Sequence, residues 1–126
     1  MLSSKITLYK GIDNIFDLII KKNKTSLPLE LTDLDIFKVH LIDLATNSNI
    51  LTLTQLLGDV SKVAITDKVN GKITITIKNA DIVNLKSLRG SAVDGYYTKP
   101  TYRLLIEADT VNQGRFIATL GRVAVG

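Results

Sequence analysis

The most regular pattern in this chain is the heptapeptide Lys-Ile-Thr-Ile-Thr-Ile-Lys at residues 72–78. Every second residue is isoleucine, so an extended backbone places the isoleucines on one face and the threonines on the other. β-Branched side chains are restricted at χ1 and pack well on a pleated surface. Asn70-Gly71 comes directly before the heptapeptide and is typical of tight β-hairpins. The pattern therefore predicts a half-buried strand that forms the second arm of a hairpin.

The rest of the chain has the same β-rich character. It contains 15 Ile, 9 Val and 13 Thr, or 37 of 126 residues. Turn residues recur about every 8–12 positions, which is typical of a sandwich of short antiparallel strands. We predict a single all-β domain over residues 1–126, an antiparallel β-sandwich of seven to nine short strands. The predicted strands cover residues 5–10, 15–22, 36–44, 50–57, 60–66, 72–78, 96–108 and 115–125, of which 96–108 is one long strand or a pair.

Other local signals predict how these strands are interrupted. Asn79-Ala80-Asp81 offers a helix N-cap, and the apolar residues that follow share a helical face, so we expect one short helix or helical turn near residues 81–88. Asp33-Leu34-Asp35 and Asp109–Gly114 are rich in turn-forming residues and are predicted to be turns. Gly121 lies late in the last strand, where an isolated glycine indicates a β-bulge.

Composition excludes several classes of function. The absence of cysteine rules out a disulfide framework, thiolate metal sites and a cysteine nucleophile. The net charge is +4, but the basic residues are scattered among strands and not interleaved with aromatic residues, which disfavours a nucleic-acid partner. No apolar run approaches the roughly 18 residues of a membrane span. Residues 1–5 do not begin a secretory signal. We therefore expect synthesis in a cytoplasm and no membrane partner.

Few side chains suggest chemistry. His40 is the only histidine and lies within a predicted strand, where we expect a surface or hydrogen-bonded, partly buried residue. It has no neighbours in sequence that would complete a Ser-His-acid triad or a metal site. Glu30, Asp33, Asp35 and Asp43 are the densest acidic residues. They lack the Asp-x-Asp-x-Asp-Gly pattern of a calcium loop, so turn capping is favoured over cation binding.

Two other combinations of residues are candidate sites. Asp94 and Asp109 are a formal pair of carboxylates, but nothing in the sequence brings their two loops together. Tyr96-Tyr97 and Tyr102-Arg103 could line a sugar-binding groove, although burial in the core is the favoured interpretation for these aromatic residues. We therefore predict no catalytic, cofactor-binding or metal-binding residues, no small-molecule substrate and no enzymatic activity.

Seven short segments follow one another in a characteristic order, and they are Lys10-Gly11, Phe16–Ile20, Leu29–Thr32, Phe37–Leu41, Gly71–Ile77, Tyr102–Ile106 and Gly121–Val125. Their order resembles that of the small immunoglobulin-like β-sandwich modules of tailed-phage virions. The N-terminal domain of siphophage upper baseplate proteins is similar, as are tail-collar and fibre-attachment proteins.

The resemblance implies an immunoglobulin-like sandwich and a non-enzymatic structural role in a virion, at the tail, baseplate, collar or neck. It implies a homo-oligomer that anchors other phage structural proteins through strand edges and loops. The segments expected to make these contacts are residues 1–9 and the loop 89–100. A carbohydrate- or receptor-binding module and a capsid decoration protein remain as alternatives.

Overall fold

A computed structural model describes residues 5–21, 27–32, 34–85, 102–111 and 114–125. These residues form eight strands and one short helix, arranged as two sheets around one hydrophobic core. The predicted all-β sandwich is thereby confirmed. In chain order the elements are β1 (Lys5–Leu8), β2 (Asn14–Ile19), β3 (Leu34–Asp43), β4 (Ser48–Leu53), β5 (Lys62–Asp67), β6 (Lys72–Ile77), α1 (Asn79–Ile82), β7 (Tyr102–Thr110) and β8 (Gly114–Val125).

The strand order is immunoglobulin-like with one departure. One sheet has the order β1-β8-β7-β3-β4 and the other β2-β6-β5. The series β8-β7-β3-β4 matches strands G, F, C and C′ of an immunoglobulin sandwich, and β2-β6-β5 matches B, E and D. In an immunoglobulin sandwich strand A pairs with strand B, whereas here β1 does not pair with β2. Instead, β1 pairs in parallel with β8, whereas the other pairs are antiparallel.

The alternating sequence of β6 predicts its buried face correctly. Ile73, Ile75 and Ile77 are fully buried, and the threonines between them lie on the outer side of the sheet. In β7 the same period of two buries Tyr102, Leu104 and Ile106. Each sheet packs one face on the core and turns the other to solvent, so the side of a strand that is apolar becomes the buried side.

Two local predictions about turns and bulges are confirmed. β5 and β6 form the expected antiparallel hairpin, and Gly71 in its turn has a positive φ of 65°. In β8, Gly121 lies opposite Leu104, whereas the next residue of β7 lies opposite Thr119. Leu120 is therefore the extra residue of a β-bulge beside Gly121.

The helix begins earlier than the sequence predicts. It spans Asn79–Ile82 instead of lying near residues 81–88, and residues 86–88 lie outside the described part of the chain. The N-cap is Lys78, whose side chain makes no capping hydrogen bond. The predicted N-cap at residues 79–81 is wrong because these residues already lie within the first turn.

Side chains from distant elements supply the missing caps. Ser61 Oγ accepts a hydrogen bond from the Lys78 amide at 2.9 Å, and Asp13 Oδ1 accepts one from the Asn79 amide at 3.0 Å. The Ser61 hydroxyl also donates to Asp81. These bonds satisfy amide groups that a short helix leaves without internal partners. They form only in the folded sandwich, so the local sequence does not predict where the helix starts.

Two predicted turns lie partly within strands. Asp35 belongs to β3, where the register with β7 shifts between Leu34 and Ile36, and Asp109 belongs to β7, opposite Arg115. A β-bulge in β3 accommodates the extra residue Asp35, and Asp109 lies within the long hairpin of β7 and β8. Residues 33, 96–101 and 112–113, which belong to the predicted turns and to the predicted strand 96–108, lie outside the described residues.

Candidate functional site

An open groove lies where the two sheets come together at β1 and β2. These strands are edges of different sheets, and no described strand bridges them. The groove between them has a volume of about 460 Å³ and is called the edge groove below. It is lined by residues of β1, β2 and the turn between them: Ile6, Thr7, Tyr9, Ile12, Asp13, Asn14, Ile15, Phe16, Asp17 and Leu18.

The turn between β1 and β2 is fixed by hydrogen bonds. The buried Asn14 accepts a bond from the Tyr9 amide on Oδ1 and donates one to the Tyr9 carbonyl from Nδ2, both at 3.0 Å. The Gly11 amide donates to Asn79 Oδ1 at 2.7 Å, and Gly11 has a positive φ of 91° that glycine adopts readily. These bonds hold the turn in place and with it the separation of the two strands.

The edge groove is mostly apolar. Ile6, Phe16 and Leu18 are partly buried and pack against the core. Tyr9 and Ile15 are more than half exposed, Ile15 by 67%. The groove is therefore lined both by partly buried core side chains and by exposed apolar side chains. Exposed apolar surface concentrated in one place on a globular protein indicates an interaction site.

The backbone of β2 presents hydrogen-bonding groups to this groove. In an antiparallel ladder each residue directs its N–H and C=O to the same side, and successive residues alternate. The Ile20 amide donates to the Gly71 carbonyl at 2.9 Å, towards β6. By the same alternation, Ile15, Asp17 and Ile19 direct their backbone groups away from β6, to the edge that no described strand covers. Such an edge is a template for another strand.

Two carboxylates line the edge groove, and only one is neutralised. Lys78 donates a hydrogen bond to Asp13, and together with the Asn79 amide it holds the pKa of this carboxyl below its ordinary value. Asp17 accepts a hydrogen bond from Thr74 Oγ1 at 2.6 Å. No cationic side chain among the described residues contacts it.

A second polar cluster lies on the outer face of the five-stranded sheet. His40 on β3 contacts Thr52 Oγ1 through Nδ1 at 3.0 Å and Glu107 Oε1 through Nε2 at 3.3 Å. Arg115 donates to Glu107 Oε2 at 2.7 Å, and Asn49 donates to Thr52 Oγ1 at 2.8 Å. Because a carboxylate only accepts, Nε2 of neutral His40 carries the proton, and Nδ1 is the acceptor for the Thr52 hydroxyl at 3.0 Å or for Asn49 Nδ2 at 3.1 Å.

The order threonine, histidine, glutamate is that of a proton relay, and no sequence pattern predicts it. His40 is 12 residues from Thr52 and 67 from Glu107, so no local motif joins them. The cluster lies outside the edge groove, and the Thr52 oxygen is already occupied by Asn49. These side chains bridge four neighbouring strands, and we assign them a structural role. The expectation that His40 is partly buried and hydrogen-bonded is confirmed.

The cluster makes stability depend on pH. The hydrogen bonds from His40 and Arg115 hold the pKa of Glu107 below its ordinary value of 4.5. A carboxyl whose pKa is lowered by folding stabilises the fold above its unfolded-state pKa, and this contribution disappears as the pH falls through the folded-state pKa. We expect wild type to be more stable than Glu107→Gln at pH 7 and this difference to shrink towards pH 3. Urea unfolding at several pH values measures it, and a difference independent of pH contradicts the assignment.

The acidic residues singled out in the sequence form no metal site in the described structure. Asp43 Oδ1 accepts a hydrogen bond from the Ala45 amide at 2.8 Å, which confirms its expected capping role. Glu30 is exposed, while Asp33 and the side chain of Asp35 lie outside the part of the chain that the structure describes. Within the described ranges no three side chains of histidine or acidic residues lie close enough to hold a metal ion.

The other candidates are dispersed. Tyr102 is only 4% exposed and belongs to the core, so it does not line a sugar-binding groove, and Arg103 donates to Asn47 instead. Asp94, Tyr96-Tyr97 and the loop 89–100 lie outside the described residues. Of the expected contact segment 1–9, the structure describes residues 5–9, and three of these line the edge groove.

No protein-family model matches the sequence, and no curated protein matches it. In the portion of the chain that the structure describes, no helix is long and apolar enough to cross a membrane. The fold and the edge groove are therefore the observations that bear on function.

Proposed function

We propose that this protein is a non-enzymatic structural subunit of a tailed-phage virion that self-assembles and anchors neighbouring proteins through its strand edges. The edge groove is the observation that carries the proposal. It combines a strand edge that no described strand covers, a largely apolar lining and one carboxylate that has no cationic partner among the described residues. Strand addition to a sheet edge uses these features, since backbone hydrogen bonds give affinity and alternate side chains give specificity.

The binding mode follows from the geometry of β2. An added extended segment forms hydrogen bonds with the outward backbone groups of Ile15, Asp17 and Ile19. Every second side chain of that segment points inward, over Phe16 and Leu18. The apolar area that these side chains bury stabilises the complex by about 25 cal/mol per Å². The other side chains lie on the outer face beside Asp17, where a basic residue is favoured. An enzymatic step is not needed for this role.

The virion setting is supported by the sequence resemblance to phage sandwich modules. It implies a subunit of a tail, baseplate, collar or neck, and a capsid decoration role would use the same contacts. A carbohydrate-binding role requires aromatic rings that stack on sugars. Of the two described tyrosines, Tyr9 lies at the groove and Tyr102 lies in the core. The described surface therefore favours assembly over sugar binding.

The test compares two variants that place a lysine on the surface. Ile15→Lys puts an ammonium group at the rim of the edge groove, whereas Val69→Lys puts one in the β5–β6 turn, where the native side chain is 60% exposed. Light scattering over a concentration series measures the solution mass. We expect a discrete oligomer for wild type and Val69→Lys. For Ile15→Lys we expect at least about a tenfold weaker association, because a charge would be buried against apolar surface.

Two outcomes contradict the proposal. A wild-type chain that remains at its monomer mass of 13.8 kDa at every concentration does not self-assemble. An Ile15→Lys chain that associates as strongly as Val69→Lys shows that the edge groove is not the contact. Circular dichroism confirms that both variants are folded.

A further inference from the structure

The side of the sandwich opposite the edge groove carries an apolar protrusion. β4 and β5 form the sheet edges on that side, because each lies at the other end of its sheet from β1 or β2. The segment that joins them exposes Leu56, Leu57 and Val60, and Leu57 is 96% exposed. Residues 56–60 are called the tip below. A cluster of three exposed apolar side chains in one short segment indicates a contact surface.

The tip is held in one conformation. The amides of Leu56 and Val63 both donate to the Thr54 carbonyl at 3.0 Å. The Lys62 ammonium donates to the Gly58 carbonyl at 2.7 Å, and Lys78 forms an ion pair with Asp59. A protrusion that is already ordered loses little conformational entropy when it binds. Leu57 is therefore presented to a partner by a preorganised segment.

We infer that copies of this chain join head to tail, with the tip of one copy seated in the edge groove of the next. The inference rests on the proposed function and names the occupant of the groove as a second copy of the chain. The two surfaces are similar in polarity, since exposed apolar side chains on one side of the molecule face a largely apolar groove on the other.

The directions of the strands agree with this arrangement. β1 is parallel to β8, and each step from β8 through β7 and β3 to β4 reverses direction, so β4 runs opposite to β1. When the next copy is placed beside the first without inversion, β4 meets β1 of that copy in antiparallel orientation, and β5 meets β2 in parallel. Both sheets are then continued, and the side of one copy that carries the tip faces the side of the next that carries the edge groove.

The charges at the two edges of the three-stranded sheet are also complementary. Lys62 on β5 lies opposite Thr76 on β6, which in turn lies opposite Ile15 on β2, so the lysine shares the outer face with the β2 edge. Asp17 lies on that face as well, two residues beyond Ile15 along β2. Joining β5 to the next copy's β2 brings the ammonium group towards Asp17, which has no cationic partner in the part of the chain that the structure describes. Opposite charges at such edges favour this pairing over wrong partners.

A head-to-tail contact joins two different surfaces, so each of the two copies still offers its other surface to a further copy. An open chain of copies keeps one free tip at one end and one free groove at the other until it closes on itself. Head-to-tail contacts therefore produce rings when the rotation per copy closes, and filaments when it does not. This geometry agrees with a subunit of a ring-shaped virion part.

Mixing two variants tests the inference. Leu57→Lys blocks the tip and Ile15→Lys blocks the edge groove, and both native side chains are more than half exposed, so we expect both variants to fold. Each variant alone is expected to be monomeric by light scattering. An equimolar mixture is expected to form a dimer and nothing larger, because one intact tip meets one intact groove and both outer ends are blocked. Val69→Lys serves as the matched charge control.

The outcomes separate this inference from the proposed function. If Leu57→Lys assembles like wild type and Ile15→Lys does not, the tip is not the occupant, while the groove keeps its role in assembly. If the mixed variants remain monomeric, the contact does not join a tip to a groove and the inference is overturned. If Ile15→Lys assembles normally, the edge groove is not the contact and both proposals fail.

Discussion

Replacing Gly71 by alanine is expected to lower the free energy of unfolding by about 2–5 kcal/mol. Gly71 has a φ of 65°, and an added Cβ would lie 2.6 Å from the Leu29 carbonyl oxygen and 2.7 Å from that of Ile20. The Ile20 oxygen accepts a hydrogen bond from the Leu29 amide, and the Ile20 amide donates to Gly71 itself. The crowded atoms are therefore backbone atoms that cannot move without breaking these bonds.

Gly114→Ala is the matched control for this substitution. Gly114 has a similar φ of 74°, but an added Cβ meets no atom within 4 Å. Only the cost of the left-handed conformation then remains, about 1–2 kcal/mol. Urea unfolding of both variants measures the difference. Equal losses would show that the close approach of Leu29 and Ile20 to Gly71 adds nothing to the effect.

Replacing Ile75 by alanine is expected to cost about 2–5 kcal/mol of unfolding free energy. Ile75 is 0% exposed and lies on β6, the central strand of its sheet, opposite Phe16 on one side and Val63 on the other. Its removal loses the transfer free energy of the deleted carbons and leaves a cavity that strands on both sides prevent from collapsing.

Ile117→Ala is the control for the core substitution. Ile117 is 48% exposed on β8, so the loss is expected to stay below about 1 kcal/mol. The two variants remove the same atoms from strands, which leaves burial as the main difference between them. A loss at Ile75 no larger than that at Ile117 is incompatible with a core centred on β6.

Local sequence was sufficient wherever a strand is buried on one face only. The alternation in residues 72–78 identifies Ile73, Ile75 and Ile77 as core, because the period of two in the sequence is the period of the pleat. Asn70-Gly71 identifies the hairpin because few residues other than glycine adopt its backbone conformation. Gly121 identifies the bulge in β8 for a related reason, since a glycine in a strand interior has no side chain to pack.

Local sequence failed where a partner distant in the chain decides the outcome. The helix starts at Asn79 because Ser61 and Asp13 cap its first amides. His40 forms a hydrogen bond with Glu107 on the neighbouring strand, and the register of β3 with β7 brings these two residues together. No pattern within a few residues of these positions records such contacts.

By itself the sequence determined the all-β class, the buried face of the best-patterned strands and the position of the tightest turn. Only the tertiary structure decided that β1 pairs with β8 and that no described strand covers the edge of β2, where the edge groove lies. The reason is physical. Side-chain alternation encodes which face of a strand is buried, whereas backbone hydrogen bonds are the same in every strand and do not specify a partner. The choice of partner depends on turn geometry, such as the Asn14 contacts to Tyr9, and on packing of the whole core.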